Sequence, residues 1–131
     1  MFGSESERQL CESVAVGIRE HDVVAHNFAG GTTLREFIEL AAACEIYLTN
    51  DSGAMHISSA LGVPTVAIFG ATNAEATGPT GAHSRIVREP VECSPCLLRE
   101  CPIDHRCMTR VAVDRVVETS MALLRSYARS S

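Results

Sequence analysis

Thr49-Asn50-Asp51-Ser52-Gly53-Ala54-Met55-His56 runs on into Ala60-Leu61-Gly62-Val63-Pro64-Thr65-Val66-Ala67-Ile68-Phe69-Gly70. The segment reads as a buried strand over residues 45–49, a turn containing Gly53, a short helix from Ala54 to Leu61 and a second buried strand over Thr65–Phe69. Gly62 and Pro64 stop the helix. The second strand is almost wholly apolar, as a central parallel strand covered on both faces should be. In an open α/β sheet, ligands bind outside the carboxyl ends of the strands, and Asn50–Gly53 occupies such an end.

The same alternation extends in both directions. Ser4 or Ser6 caps an amphipathic helix to about Glu20, with Leu10, Val14 and Ile18 at four-residue spacing. Phe2-Gly3 reads as the end of a strand, and Val23–Asn27 as another. After the turn Phe28–Gly31, Thr32 or Thr33 caps a helix reaching Cys44, and Glu36 follows Thr33 at capping-box spacing. The apolar face expected there is Leu34, Phe37, Ile38 and Ala41. Ser84–Arg88 is a last short strand. Val113–Tyr127 is a closing helix with Val116, Val117, Met121 and Leu124 inward. The expected fold is therefore α/β, an incomplete Rossmann-like parallel sheet flanked by helices.

The 131 residues suffice for one domain, and the net charge of -5 argues against a dedicated nucleic-acid module. A small anion remains compatible, because a helix N-terminus binds phosphate without net positive charge. All eleven basic residues are Arg, so no lysine of this chain grips a phosphate or forms a Schiff base. No apolar run approaches the ~20 residues that span a bilayer, and the start does not read as a signal peptide. A cytoplasmic location is expected.

The turn carries its own chemistry. Gly53 has no Cβ, so a ligand can approach the backbone. The amides of Ser52, Gly53 and Ala54 open the next helix, whose dipole favours phosphate. Ser52 adds a hydroxyl, and His56 in the first turn can offset diphosphate charge when protonated. Asp51 is repulsive to a diphosphate, so it either caps the helix or accepts hydrogen bonds from sugar hydroxyls. An equally simple reading makes Asp51 a cap, Ser52-Gly53 a turn and His56 an ordinary surface histidine.

Cys93-x2-Cys96-x4-Cys101-x5-Cys107 places four of the six cysteines within fifteen residues, beside His105. The first pair has the spacing of half a tetrahedral zinc knot; the second half is irregular. A structural zinc on Cys93, Cys96, Cys101 and Cys107, a labile redox pair and four reduced thiols are the competing readings. Cys11 and Cys44, in apolar helical patterns, are expected to be buried.

Asp51-Ser52-Gly53-x-x-His56, with Pro64, Gly70 and Thr72 downstream, resembles the donor loop of glycosyltransferase family 9, the ADP-heptose:lipopolysaccharide heptosyltransferases. The resemblance implies that Asp51, Ser52, Gly53, Ala54 and His56 hold the diphosphate and heptose of the donor. Gly3-Ser4-Glu5 is similar to a strand end whose acid meets the donor ribose; Glu5 is equally explained as an acid in a helix's first turn. Thr32 matches a loop near the adenine, and a plain N-cap is its simpler reading. Gly70-Ala71-Thr72-Asn73 resembles a segment lining the sugar side, with Ala71 where the family usually has Pro. The Cys-rich segment is similar in particular to that of the heptosyltransferase II branch.

The likeness covers residues 3–124 and implies part of the C-terminal, donor-binding domain of a GT-B enzyme. It places the acceptor domain and the start of the donor domain outside residues 1–131. Neither the general base nor the family's diphosphate-gripping lysine is then expected here. The implied function is the donor-binding portion of an inverting transferase moving heptose from ADP-heptose to the lipopolysaccharide inner core, inactive alone and needing no cofactor. Its full-length form is expected at the inner membrane periphery. Exposed sheet edges lead to an expectation of self-association. The alternative is a small binding module whose zinc-pinned Cys loop contacts a protein partner. A third reading, a phosphatase or hydrolase using Ser52 or Asp51, lacks a nucleophile elbow and a flanking acid.

Overall fold

The computed structural model describes residues 1–129. The chain forms two compact units, the first Met1–Leu40 and the second beginning at Ala41.

The first unit is built around helix α1 (Arg8–Arg19), entered through a 3-10 turn at Glu5–Glu7. The expected start is observed: Glu7 Oε2 accepts from the Ser4 backbone N–H at 2.7 Å and from its hydroxyl at 2.6 Å. These bonds hold the Glu7 carboxyl below its ordinary range, the hydroxyl contributing most. Instead of the expected strands at Phe2-Gly3 and Val23–Asn27, two irregular segments exchange backbone hydrogen bonds. Met1 N donates to His26 O, Phe28 N to Met1 O at 2.9 Å and Gly30 N to Gly3 O at 2.9 Å. Phe2 stacks on Phe28, with ring centroids 5.6 Å apart, and meets Phe37 edge-on at 5.2 Å.

Helix α2 (Leu34–Ala42) begins with the anticipated capping box. Thr33 N donates to Glu36 Oε2 at 2.7 Å, and Glu36 N returns a bond to Thr33 Oγ1 at 3.3 Å. Of its expected apolar face, Phe37 and Ile38 are half-buried and Ala41 is buried, whereas Leu34 at the helix mouth is exposed.

The second unit is a parallel three-stranded sheet in the order β1 (Tyr47–Asn50), β2 (Thr65–Phe69), β3 (Ser84–Arg88). Tyr47 pairs with Thr65 and Asn50 with Ile68; Thr65 pairs with Ser84 and Phe69 with Arg88. Helix α3 (Gly53–Ala60) links β1 to β2, and the short α4 (Ala74–Thr77) follows β2. The fold class read from the alternation is the one observed.

Central strand β2 shows why its sequence is apolar throughout. Ala67 and Phe69 pack with Met55 of α3 and Ala74 of α4 on one face. Val66 packs on the other with Val87 of β3 and with Val116 and Leu123 of α6 (Val113–Ala128). Alternating residues of one strand thus enter two separate cores. Buried polar groups are satisfied locally. Thr65 Oγ1 donates within reach of Val63 O (2.8 Å) and Ser58 Oγ (3.1 Å), and Ser58 Oγ donates to Met55 O at 3.0 Å.

The inward face of α6 agrees with expectation in part. Val116 is buried as expected and Leu124 is half-buried, while Val117 and Met121 are exposed and Leu123 is buried in their place. Apolar residues lie on more than one side of this helix, and sheet packing selects among them. Cys11 and Cys44, expected inside, are half-buried. The Cys-rich segment is a loop, as expected, interrupted by one turn of helix, α5 (Arg106–Thr109). Among the described residues, no helix is long and apolar enough to cross a membrane.

Candidate functional site

The bend Asn50–Gly53 leaves the carboxyl end of β1 and opens directly into α3. Ser52, extended at φ -157° and ψ 168°, is the N-cap, a role the sequence reading had allowed for Asp51. Its hydroxyl lies 3.3 Å from Thr49 Oγ1, which also donates to Asn50 O at 2.9 Å. Thr49 is therefore a positioning contact missed from sequence; its place immediately before the turn was the available signal. Ser52 O accepts from Met55 N at 3.1 Å, starting the helix. The Gly53 and Ala54 amides at the helix mouth precede the first intrahelical donors.

The bend is open. A Cβ built on Gly53 would meet nothing within 4 Å, and its φ lies outside the left-handed region. Gly53 and His56 are exposed. Asp51, Ser52 and Ala54 are half-buried. Met55, by contrast, is wholly buried against β2, so it seats the helix while its neighbours face outward.

A second bend, Gly70–Asn73, leaves the carboxyl end of the neighbouring strand β2. Because Asn50 pairs with Ile68, the two bends begin side by side on one edge of the sheet. Thr72 is half-buried within the second. Asn73 caps α4, its Oδ1 accepting from Glu75 N at 3.0 Å.

This second bend is covered by the Cys-rich loop. Ala71 O accepts from Cys96 N at 3.0 Å and Leu97 N at 2.9 Å, and Gly70 O accepts from the Ser94 hydroxyl at 2.6 Å. A Cβ on Gly70 would lie 2.6 Å from Met108 Sδ and 3.3 Å from Cys107 Sγ. Arg106 ties the loop to itself through Glu92 and, at 2.9 Å, Asp104. These ion pairs raise the Arg106 pKa and lower both acids; for Asp104 the Arg106 contact is the chief cause, for Glu92 its own backbone amide comes first.

The four cysteines of the loop are free thiols. Among the described residues, no group of three or more His, Cys, Asp or Glu side chains is disposed to hold a metal ion. The expected zinc set thus finds no support in this geometry. Backbone hydrogen bonds and the Arg106 ion pairs hold this loop.

The first unit carries Glu5 and Thr32. The exposed Glu5 carboxylate is paired with Arg8 Nε at 3.2 Å. Gly30 (φ 65°) passes so close that a Cβ there would fall 2.7 Å from the Glu5 Cα. The segment leading to Thr32 is thereby held against Glu5, and only a glycine fits at that crossing. Thr32 is half-buried, and Thr33, not Thr32, makes the cap.

Residues 1–106 match the family model described as glycosyltransferase family 9 (heptosyltransferase). The chain belongs to that family. It is 33% identical over 129 residues to lipooligosaccharide heptosyltransferase 2 of Campylobacter jejuni, covering 96% of this chain and 40% of that protein. It is 34% identical over 89 residues to lipopolysaccharide heptosyltransferase 2 of Escherichia coli, covering 67% of this chain and 26% of that protein. Among solved structures it is similar to the E. coli ADP-heptose lipopolysaccharide heptosyltransferase II, with a TM-score of 0.80 and 30% identity over 97% of this chain and 36% of that one. The chain therefore spans well under half the length of these relatives.

Proposed function

We propose that the bend Asn50–Gly53 and the first turn of α3 hold the diphosphate of a nucleotide-linked heptose, and that the chain supplies the donor side of an inverting glycosyl transfer to a lipopolysaccharide core. The observation that carries this reading is the open turn. At the carboxyl end of β1, the main chain is bare at Gly53, the Gly53 and Ala54 amides stand at the mouth of α3, and His56 is exposed in its first turn. The family supplies the ligand class, since the solved relative is described as an ADP-heptose enzyme.

The chemistry follows from the groups present. As the bond from the anomeric carbon to the diphosphate breaks, negative charge grows on the departing oxygen. N–H groups fixed at a helix mouth stabilise that charge without reorganising. A protonated His56 adds a positive charge beside it. Asp51 precedes the cap without serving as it, which leaves its carboxylate for sugar hydroxyls. The base that must take the acceptor's proton is assigned to no residue here. The chain by itself is accordingly expected to bind donor and to transfer nothing; heptose transfer by the purified chain would contradict that.

The direct test is calorimetric titration of ADP and of ADP-heptose into the chain and into Asp51→Ala. The reading requires saturable binding of both ligands. It also requires that Asp51→Ala weaken ADP-heptose more than ADP. Heat of mixing alone for both ligands removes the proposal.

A further inference from the structure

Ser52 opens α3 with the backbone of an N-cap, yet among the described residues its hydroxyl makes no bond to the amides of that helix. A serine in this place ordinarily folds its oxygen back onto the second or third helical N–H. Two other caps of this chain do so. Thr33 Oγ1 accepts from Glu36 N at 3.3 Å, and Asn73 Oδ1 accepts from Glu75 N at 3.0 Å. Ser52 forgoes that bond.

The cause is Thr49. It pairs with Ala67 in the ladder, and Ala67 belongs to the core that Met55 of α3 enters, so the Thr49 side chain leaves the sheet on the face that α3 covers. Its Oγ1 lies 3.3 Å from Ser52 Oγ and donates to Asn50 O at 2.9 Å. A threonine hydroxyl has one proton to give. Thr49 gives it to a carbonyl, so across the 3.3 Å contact Ser52 is the donor and Thr49 the acceptor. The Ser52 hydroxyl is thereby drawn toward the strand and off the helix mouth. The Gly53 and Ala54 amides precede the first intrahelical donors and stay clear of it.

We propose that Thr49 is a positioning residue of the donor loop: it holds the Ser52 hydroxyl away from α3 so that the helix mouth stays free for the diphosphate, a role that rests on the donor reading above. The same contact prepares Ser52 for the ligand. As found, Ser52 directs its one proton at Thr49 and offers a ligand lone pairs alone, the wrong polarity for a phosphate oxygen. Rotation of the Thr49 hydroxyl from Asn50 O to Ser52 Oγ releases that proton. Ser52 then donates to the diphosphate while its oxygen accepts from Thr49, and a hydroxyl that accepts is the stronger donor. Asn50 is exposed, so its carbonyl takes water in exchange.

A threonine that only supports the fold and one that steers Ser52 differ in what their loss does. Thr49→Val removes the hydroxyl and keeps the shape. If Thr49 only supports the fold, the loop loosens and binding falls with it. If Thr49 steers Ser52, the freed Ser52 hydroxyl caps its own helix, so the helix mouth tightens while binding falls.

Amide hydrogen exchange and calorimetric titration of ADP, both on the whole chain, test this together. In Thr49→Val, exchange at the Ala54 or Met55 amide should slow. ADP affinity should fall about fivefold, the factor equivalent to a typical N-cap bond. Thr49→Ser keeps the hydroxyl and should match the parent in both measurements. In a Ser52→Ala background, Thr49→Val should change neither, because no hydroxyl is left to steer. Exchange at both amides that is unchanged or faster in Thr49→Val overturns the proposal, and so does ADP affinity equal to that of a binding parent. A parent that binds no ADP overturns the donor reading and with it the use assigned to Thr49; the exchange data tell the two failures apart. Thr49→Ala supplies the same readings if the valine variant does not fold.

Discussion

Two bends leave adjacent strand ends of the same sheet and are treated in opposite ways. The bend after β1 is bare: Gly53 has open space where a side chain would stand, and His56 faces outward. The bend after β2 is sealed by the Cys-rich loop, with Ala71 O taking two amides and Gly70 O a hydroxyl. Each contains a glycine for a different reason. At Gly70 the side chains of Met108 and Cys107 occupy the space of its missing side chain. Among the described residues, nothing occupies the space beside Gly53. On the proposed reading, that open space at the carboxyl edge of a parallel sheet is where the donor's diphosphate approaches the main chain.

The largest effect should come from the platform beneath the open bend. Met55 is wholly buried between α3 and β2 and is the one large side chain of α3 in that core. Met55→Ala should cost roughly 2–5 kcal/mol of unfolding free energy, the usual range for truncating a buried Met. Urea denaturation measures it. A cost below about 1 kcal/mol would mean that α3 is not seated as described.

The second effect separates fold from function. Gly53→Ala adds one methyl into open space on a backbone that any residue can adopt. Stability should stay within about 0.5 kcal/mol of the parent. Diphosphate binding should fall by about tenfold, equivalent to roughly 1.4 kcal/mol. Equal binding by the two proteins would show that the ligand does not approach this glycine, and the contrast between the bends would lose its functional meaning.

The third concerns the sealed bend. Ser94→Ala removes the hydroxyl from Gly70 O, a partly buried bond of 2.6 Å. A loss of about 1 kcal/mol is expected. Faster hydrogen exchange at the Cys96 and Leu97 amides should accompany it, because those two bonds to Ala71 share the same anchor. Unchanged exchange there would mean that the loop is held by Arg106 alone.

How much of this was legible in the sequence depends on whether the signal was local. The β1–α3–β2 unit was readable because Gly62 and Pro64 mark a stop and Thr65–Phe69 is apolar throughout. The Thr33–Glu36 box was readable because capping is settled within four residues, and Ser4 was one of the two caps offered for the first helix. The inward face of α6 was readable only in part: Val116 was placed correctly, but Leu123 competes with Val117 and Met121 on one helix, and only the sheet decides. Val23–Asn27 has strand-like residues, yet this stretch meets Met1–Gly3 through isolated backbone bonds, and pairing is a property of two segments. The open bend was found through its motif. The covering of the second bend was hidden, since no local pattern says that Ser94 will reach Gly70 across 24 residues.

The smallest effect is a pH dependence confined to the sealed side. Arg106 lowers the pKa of Asp104 and contributes to the lowering of Glu92, whose ordinary values are 3.8 and 4.5. A carboxylate whose folded pKa lies below its unfolded one adds stability above the unfolded value and loses it as pH falls through the folded value. The contribution of these two acids is therefore full near neutrality and begins to fade below about pH 4.5. Arg106→Gln removes the cation, so the parent should be the more stable protein at pH 6, and the gap should close as pH is lowered toward 3. Both acids are solvent-exposed, so screening makes the gap small, and salt should narrow it further. Glu7, Glu12 and Glu36 are also lowered in this fold, by Ser4, Arg19 and Thr33 in turn, and they titrate alike in parent and variant. The difference between the two proteins therefore isolates the Arg106 cluster. A gap that stays constant from pH 6 to pH 3 would show that Arg106 holds the loop through packing instead of charge.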